Sequence, residues 1–161
     1  MISGAYLGPL TLMTIRKAAQ ENLFSAATCE NLNGIKELTT KKLSIFLQKT
    51  DDRKNSLTSA ASNQDDVALL LELVQAIVER AAKLTAINLS SAVLKSGKGS
   101  DPDRPVCIVA EGTTFYKLHN LKSRVEFYLN QYLKEQKGIS FEIIGVENAT
   151  LIGAAIAGLT N

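Results

Sequence analysis

Two stretches in the last third of the chain carry residue types suited to holding a phosphorylated ring compound. In the first, Glu111-Gly112-Thr113-Thr114-Phe115-Tyr116-Lys117, an acidic-Gly pair separates the apolar run 106–110 from a segment rich in β-branched and aromatic residues. That order predicts a hairpin, with strands at 106–110 and 114–118 joined through Glu111-Gly112. A hairpin tip of this kind presents backbone N–H groups and the hydroxyls of Thr113 and Thr114, which suit a phosphate. In the second stretch, from Asn148 through Gly153 and Ala154 to Ala155, a helix begins almost without bulky polar side chains, and a flat ring can lie against its backbone. The same residues also suit an ordinary α/β core with no ligand.

Positioning these stretches requires the rest of the chain. Residues 140–146 read as a third strand, preceded by a helix over 120–137 whose stripe is Leu121, Val125, Tyr128, Leu129, Tyr132 and Leu133 and which Gly138 stops. Residues 65–95 keep a three-and-four apolar spacing almost without interruption, predicting a buried helix of roughly 45 Å. Ahead of it, residues 50–66 are polar and predict a mobile loop, and 39–49 a short helix capped by Thr39 or Thr40. Residues 25–38 read as a connection. The first helix is expected to start near Gly8, because Pro9 is tolerated in a first turn. The expected organisation is therefore mainly helical over 1–95, a Gly/Pro linker at 96–105, and strand, hairpin, helix, strand and helix over 106–161. The fold class is an α-rich α/β domain with a small three-stranded mixed sheet.

Composition excludes several functions. The formal net charge of +2 is small and the lysines and arginines are scattered, which argues against a nucleic-acid partner. No apolar run reaches membrane-spanning length. Cys29, Cys107 and the single His119 are too few for a metal site, and Cys107 within an apolar strand reads as a small buried hydrophobe. Two unpaired cysteines suit a reducing, cytoplasmic compartment. One histidine at the end of a strand leaves no Ser-His-Asp or Cys-His arrangement. Gly97-Lys98-Gly99-Ser100 lacks phosphate-loop spacing and reads as linker.

Several strings, in one order, resemble the C-terminal portion of a hexokinase. Met1-Ile2-Ser3-Gly4, with Tyr6, Leu7 and Gly8, meets all the fixed positions of M-[IV]-S-G-x-Y-[LM]-G. Leu38-Thr39-Thr40-Lys41-Lys42-Leu43-Ser44 is similar to F-E-T-[KR]-x-[VIL]-S, and Arg80-Ala81-Ala82 to a string within the family's long helix. Glu111 to Lys117 resembles D-G-[ST]-x-Y-K with one residue added, and Gly153-Ala154-Ala155 resembles the closing G-A-A. The resemblance implies the fold of the sugar-kinase, actin and heat-shock chaperone superfamily. It implies ATP with Mg2+, and a hexose as acceptor. It further implies nucleotide or phosphate contacts at Thr40, Lys41, Ser44, Gly112, Thr113, Thr114, Asn148, Gly153 and Ala154, with either threonine of the pair 113–114 as the phosphate contact. Thr39 stands where the family places a sugar-side Glu. Arg80 is expected to serve in a structural ion pair.

No catalytic residue is assigned. In the family the first phosphate loop, the catalytic Asp and the sugar-gripping residues precede M-[IV]-S-G, so the chain reads as a piece of a longer enzyme. On that reading the 161-residue chain is inactive alone and is prone to self-association through an uncovered sheet edge. Two other readings remain: a non-catalytic hexokinase-like sensor or scaffold, and an unrelated α/β interaction module.

Overall fold

The computed structural model describes residues 3–160; Met1 and Ile2, the first two letters of the opening string, lie outside the described residues. The order of elements is α1 (Gly4–Gln20), α2 (Ala26–Asn33), α3 (Thr40–Gln48), α4 (Ser56–Ala60), α5 (Gln64–Ser96), β1 (Val106–Ala110), α6 (Thr113–Lys117), α7 (Leu121–Leu129), β2 (Phe141–Gly145) and α8 (Ala149–Thr160). A π-helical segment, Asn130–Gln136, continues α7.

α5 is the spine. Its periodic apolar residues Leu70, Val74, Val78, Ala81 and Ala82 are almost fully buried, and Asn63 caps it by accepting the N–H of Asp66 at 2.8 Å. Gly97, in the left-handed region at φ 65°, ends it. α7 makes the most extensive helix contact with α5, and α1 and α3 also pack on it. One continuous core results, running from Leu7 and Ile15 through Leu43, Phe46 and Leu57 to Val125, Leu129 and Leu133.

Asp66 joins the first turn of α5 to α2. Its buried carboxylate accepts from the Ser25 N–H (3.1 Å), the Ser25 hydroxyl (2.6 Å), the Thr28 hydroxyl (2.7 Å) and the Asn63 amide (2.9 Å). Burial pushes this carboxyl up, but those four bonds outweigh it and hold it below the ordinary aspartate value.

The sheet corrects the three-stranded expectation. It has two strands, β1 and β2, parallel, with Val106 opposite Phe141 and Ala110 opposite Gly145. Residues 114–118 do not pair as a strand; they fall within and just after α6, where the Leu118 N–H bonds the Thr114 carbonyl at 3.1 Å. Strand propensity loses here to context: Phe115 packs on the core, Thr114 sits against α1, and the Tyr116 hydroxyl donates to the Ala110 carbonyl at 3.1 Å. A parallel pair needs a long crossover, and α6 and α7 supply it.

Other expectations shift for identifiable reasons. α1 begins at Gly4 and runs through Pro9; Ala5, whose carbonyl loses its helical donor, is exposed and so reachable by water. The 25–38 connection contains α2, and the polar 50–66 stretch contains α4, whose Leu57, Thr58 and Ala60 are buried. Asn55 anchors that turn by accepting the Leu57 N–H at 3.0 Å and donating to the Lys42 carbonyl at 2.8 Å. Cys107 is exposed rather than buried, because it shares the uncovered face of the two-stranded sheet with Val109. Arg80 is exposed and has no ion pair among the described residues; its neighbour Glu79 binds Arg124 at 2.6 Å instead.

Candidate functional site

β1 and β2 run in the same direction, so both chains leave the sheet at the Ala110–Gly145 end. Ligands of open parallel sheets bind outside the carboxyl ends of the strands, where the following loops and helix starts expose N–H groups. Here the loop after β1 carries Glu111, Gly112, Thr113 and Thr114, and the loop after β2 carries Asn148 into α8. A cleft of about 420 Å³ opens there, bounded by residues 108–115, Ser3 and Gly4 of the α1 start, Thr85 and Leu89 of α5, and Ile143 of β2.

Each wall has a local cause. Gly112 has φ 118° and ψ 136°, a conformation closed to residues with a side chain at ordinary cost, and it lets the chain turn from β1 straight into α6. The N–H groups of the first turn of α6 thereby face the loop with no helical partners. The two threonines separate in role: Thr113 is exposed, with no hydrogen-bond partner among the described residues, whereas Thr114 is half-buried with its side chain against Gly4. A Cβ on Gly4 would overlap Thr114 Oγ1, and one on Gly8, a turn later, would overlap the Leu38 carbonyl oxygen. These glycines set the close approach of α1 to both α6 and the start of α3.

α3 meets the cleft through the same residue. Thr40 donates its hydroxyl to the Gly4 carbonyl in a short hydrogen bond, and both residues line a second depression of about 290 Å³ together with Thr39. Thr39 is the N-cap of α3, accepting the Lys42 N–H at 3.2 Å. Lys41 is exposed. Ser44 is buried and fully engaged: it donates to the Lys117 carbonyl at 3.0 Å and accepts the His119 N–H at 3.0 Å, fastening α3 to the end of α6.

The second loop is tied to the first by one carboxylate. Glu111 accepts the Thr150 N–H at 2.9 Å and the Thr150 hydroxyl at 2.7 Å, which caps the start of α8. Those two bonds, the hydroxyl's first, hold the Glu111 carboxyl below the ordinary glutamate value. Asn148 takes a left-handed conformation at φ 57° just before α8. Gly153 and Ala154 are exposed, and among the described residues nothing beyond its own stretch of helix comes within 4 Å of where a Cβ on Gly153 would lie.

Of the residues proposed from sequence, the structure gathers Thr40, Gly112, Thr113 and Thr114 around Gly4, sets Ser44 beneath them as a fastener, and leaves Lys41, Gly153 and Ala154 in solvent. Sequence reasoning missed Gly4, Thr85, Leu89 and Thr150 as site residues. Gly4 had a signal, since a small residue repeated as Gly8 one turn on marks close packing. Thr150 had only its place after Asn148.

The fold and cleft together define a helix-rich α/β domain with a cleft at the carboxyl ends of two parallel strands. The family model described as Hexokinase matches residues 1–160. The chain belongs to the hexokinase family. A search of curated proteins returns no match.

Proposed function

We propose that the chain supplies the nucleotide side of an ATP-dependent hexokinase, the C-terminal part of a sugar kinase of the actin-like superfamily that transfers a phosphoryl group to a hexose hydroxyl. The observation that carries this reading is the juxtaposition of the Gly112-Thr113-Thr114 turn with Gly4 and Thr40 at the carboxyl end of the strand pair. Distant segments of the family pattern converge there, and they converge on hydroxyls and free N–H groups. Thr113 takes the phosphate contact, because its hydroxyl faces outward while Thr114 is used in packing. Thr40 and Lys41 flank the phosphates, Ser44 positions α3, and Asn148 with the Gly153-Ala154 backbone borders the base and ribose. Thr39, in the place of a family Glu, offers the sugar side a hydroxyl already used as a helix cap.

The metal fits differently. Among the described residues no group of three His, Cys, Asp or Glu side chains is placed to hold an ion, so no step is derived through a metal held by this chain. Mg2+ would arrive on the nucleotide phosphates. Among the described residues the one carboxylate lining the cleft, Glu111, is committed to Thr150, so we infer that the chain binds and does not react alone. The segments 1–95, 96–105 and 106–161 act as helical support, linker and nucleotide-side unit, in a cytoplasmic enzyme. Among the described residues no helix is long and apolar enough to cross a membrane.

Titration calorimetry with Mg-ATP on wild type and Thr113→Val tests the reading. Weak binding that the variant loses, with Thr114→Val judged separately for stability, is the expected result; equal binding by Thr113→Val overturns the assignment. A coupled ADP-release assay should show no turnover with glucose, fructose or mannose, and turnover would overturn the claim that the chain only binds.

A further inference from the structure

On the opposite side of α5 from the nucleotide-side cleft lies a groove of about 400 Å³. At 3.6 residues per turn, Thr85 and Leu89 project towards the cleft, while Lys83, Ile87, Ser90 and Leu94 centre on the reverse face. Its far wall is Tyr128, Tyr132 and Gln136, the last two on the π-helical segment.

Three features distinguish the groove from plain helix surface. Ile87 and Leu94 remain 59% and 39% exposed, two large apolar side chains on a face otherwise walled by tyrosines. Ser90 is 4% exposed, lines the groove, and has no hydrogen-bond partner among the described residues. Its neighbours behave otherwise: Thr85 and Ser91 each bond the carbonyl four residues back, at 2.8 Å in both cases. The third feature is charge. Glu79 is shared by Arg124 at 2.6 Å, Lys83 at 3.7 Å and the Tyr128 hydroxyl, so two cations face one carboxylate and the Lys83 end is left with net positive charge. Lys83 also lies 5.5 Å from the Tyr128 ring centroid, at the groove rather than away from it.

We propose that this groove binds an elongated amphipathic carboxylate of the medium-chain fatty acid class. The carboxylate sits at Lys83, with the Tyr128 hydroxyl remaining on Glu79, and the alkyl chain runs along Ala86, Ile87 and Leu94. From Lys83 to Leu94 the helix rises about 16 Å, a length that an extended acyl chain matches and a compact ligand does not. The volume is within the range of about 300–1,000 Å³ typical of small-molecule sites.

Calorimetric titration of the 161-residue chain with sodium dodecanoate, below its micelle concentration, tests the proposal. Dodecanoate should bind saturably, and Lys83→Gln should weaken it about tenfold. Ser90→Leu should abolish binding by filling the groove. Ile87→Glu, at an exposed position, gives the same readout should Ser90→Leu fail to fold. The apolar helix α8 is a competing acceptor of alkyl chains, so Leu151→Ser is the control and should leave the affinity unchanged. Equal binding of dodecyltrimethylammonium, loss in Leu151→Ser instead of Ser90→Leu, or no binding at all would each overturn it. So would a concentration-dependent mass in ultracentrifugation that Ile87→Glu removes, since the groove would then be filled by a second copy of the chain.

Discussion

Gly4 and Thr114 meet so closely that no side chain fits between them: the Thr114 hydroxyl occupies the volume a Cβ on Gly4 would need. The contact joins the first turn of α1 to the first turn of α6, two elements that are far apart in sequence and adjacent at the cleft. Gly4→Ala should therefore destabilise the fold by about 1–3 kcal/mol through overpacking, read as a lowered Tm by calorimetry. Combined with Thr114→Ala, which removes the obstructing hydroxyl, the loss should be smaller than the sum of the two single losses. Strict additivity would show that the two residues do not share this space.

Ser44 illustrates how a residue can satisfy a family pattern while performing a structural task. Its hydroxyl serves the Lys117 carbonyl and the His119 N–H together, from a buried position. Ser44→Ala leaves both without that partner and should cost about 1–3 kcal/mol in urea unfolding. A change of only a few tenths would mean water reaches the junction of α3 and α6.

The Asp66 network sets an acid limit on stability. Its folded pKa lies below the unfolded one, so its contribution is complete above about pH 4 and is lost as the pH falls from there through the folded value. Asp66→Asn should be less stable than wild type at neutral pH. The gap should narrow steadily below pH 4, measured as the urea midpoint against pH. A gap independent of pH would remove the carboxylate charge from the explanation.

Glu111 holds the start of α8 from the loop after β1, and Leu151, Ile152, Ile156 and Leu159 of α8 are 71%, 47%, 57% and 87% exposed. Glu111→Ala should speed hydrogen exchange of the Thr150 amide several-fold while leaving α5 protection unchanged. The depressed carboxyl carries the same sign as Asp66: the clasp is complete above the ordinary glutamate value of about 4.3 and loosens as the pH falls through the folded value. An unaltered Thr150 exchange rate would show that α8 is held by other contacts.

The long periodic segment of α5, the stripe of α7 and the two real strands were legible because burial on one face leaves a repeating mark in sequence. The segment 114–118 was not legible. Thr114, Phe115 and Tyr116 favour strands in isolation, and only the contact with Gly4 and the Tyr116 bond to Ala110 select a helical turn. α4 was hidden for the opposite reason: Asn55 and Thr58 are buried polar residues satisfied by carbonyls of Lys42 and Thr50, so a polar stretch reads as a loop although it is packed. In the site, Gly112 and the threonines were visible by type. Which threonine faced outward was not, because a helix and a hairpin turn the pair differently.

The parallel pairing of β1 with β2 also bears on the order of folding. A rung of that ladder needs the excursion through α6, α7 and the π-helical segment to bring Phe141 back beside Val106, a closure cost that α7 docking on α5 helps to offset. We predict that the strand pair assembles late, on a helical surface already formed. Val125→Ala in α7 should slow folding, whereas Ile143→Ala in β2 should mainly accelerate unfolding, as stopped-flow chevrons would read. The cleft, which lies where those strands end, should then be among the last parts of the molecule to appear.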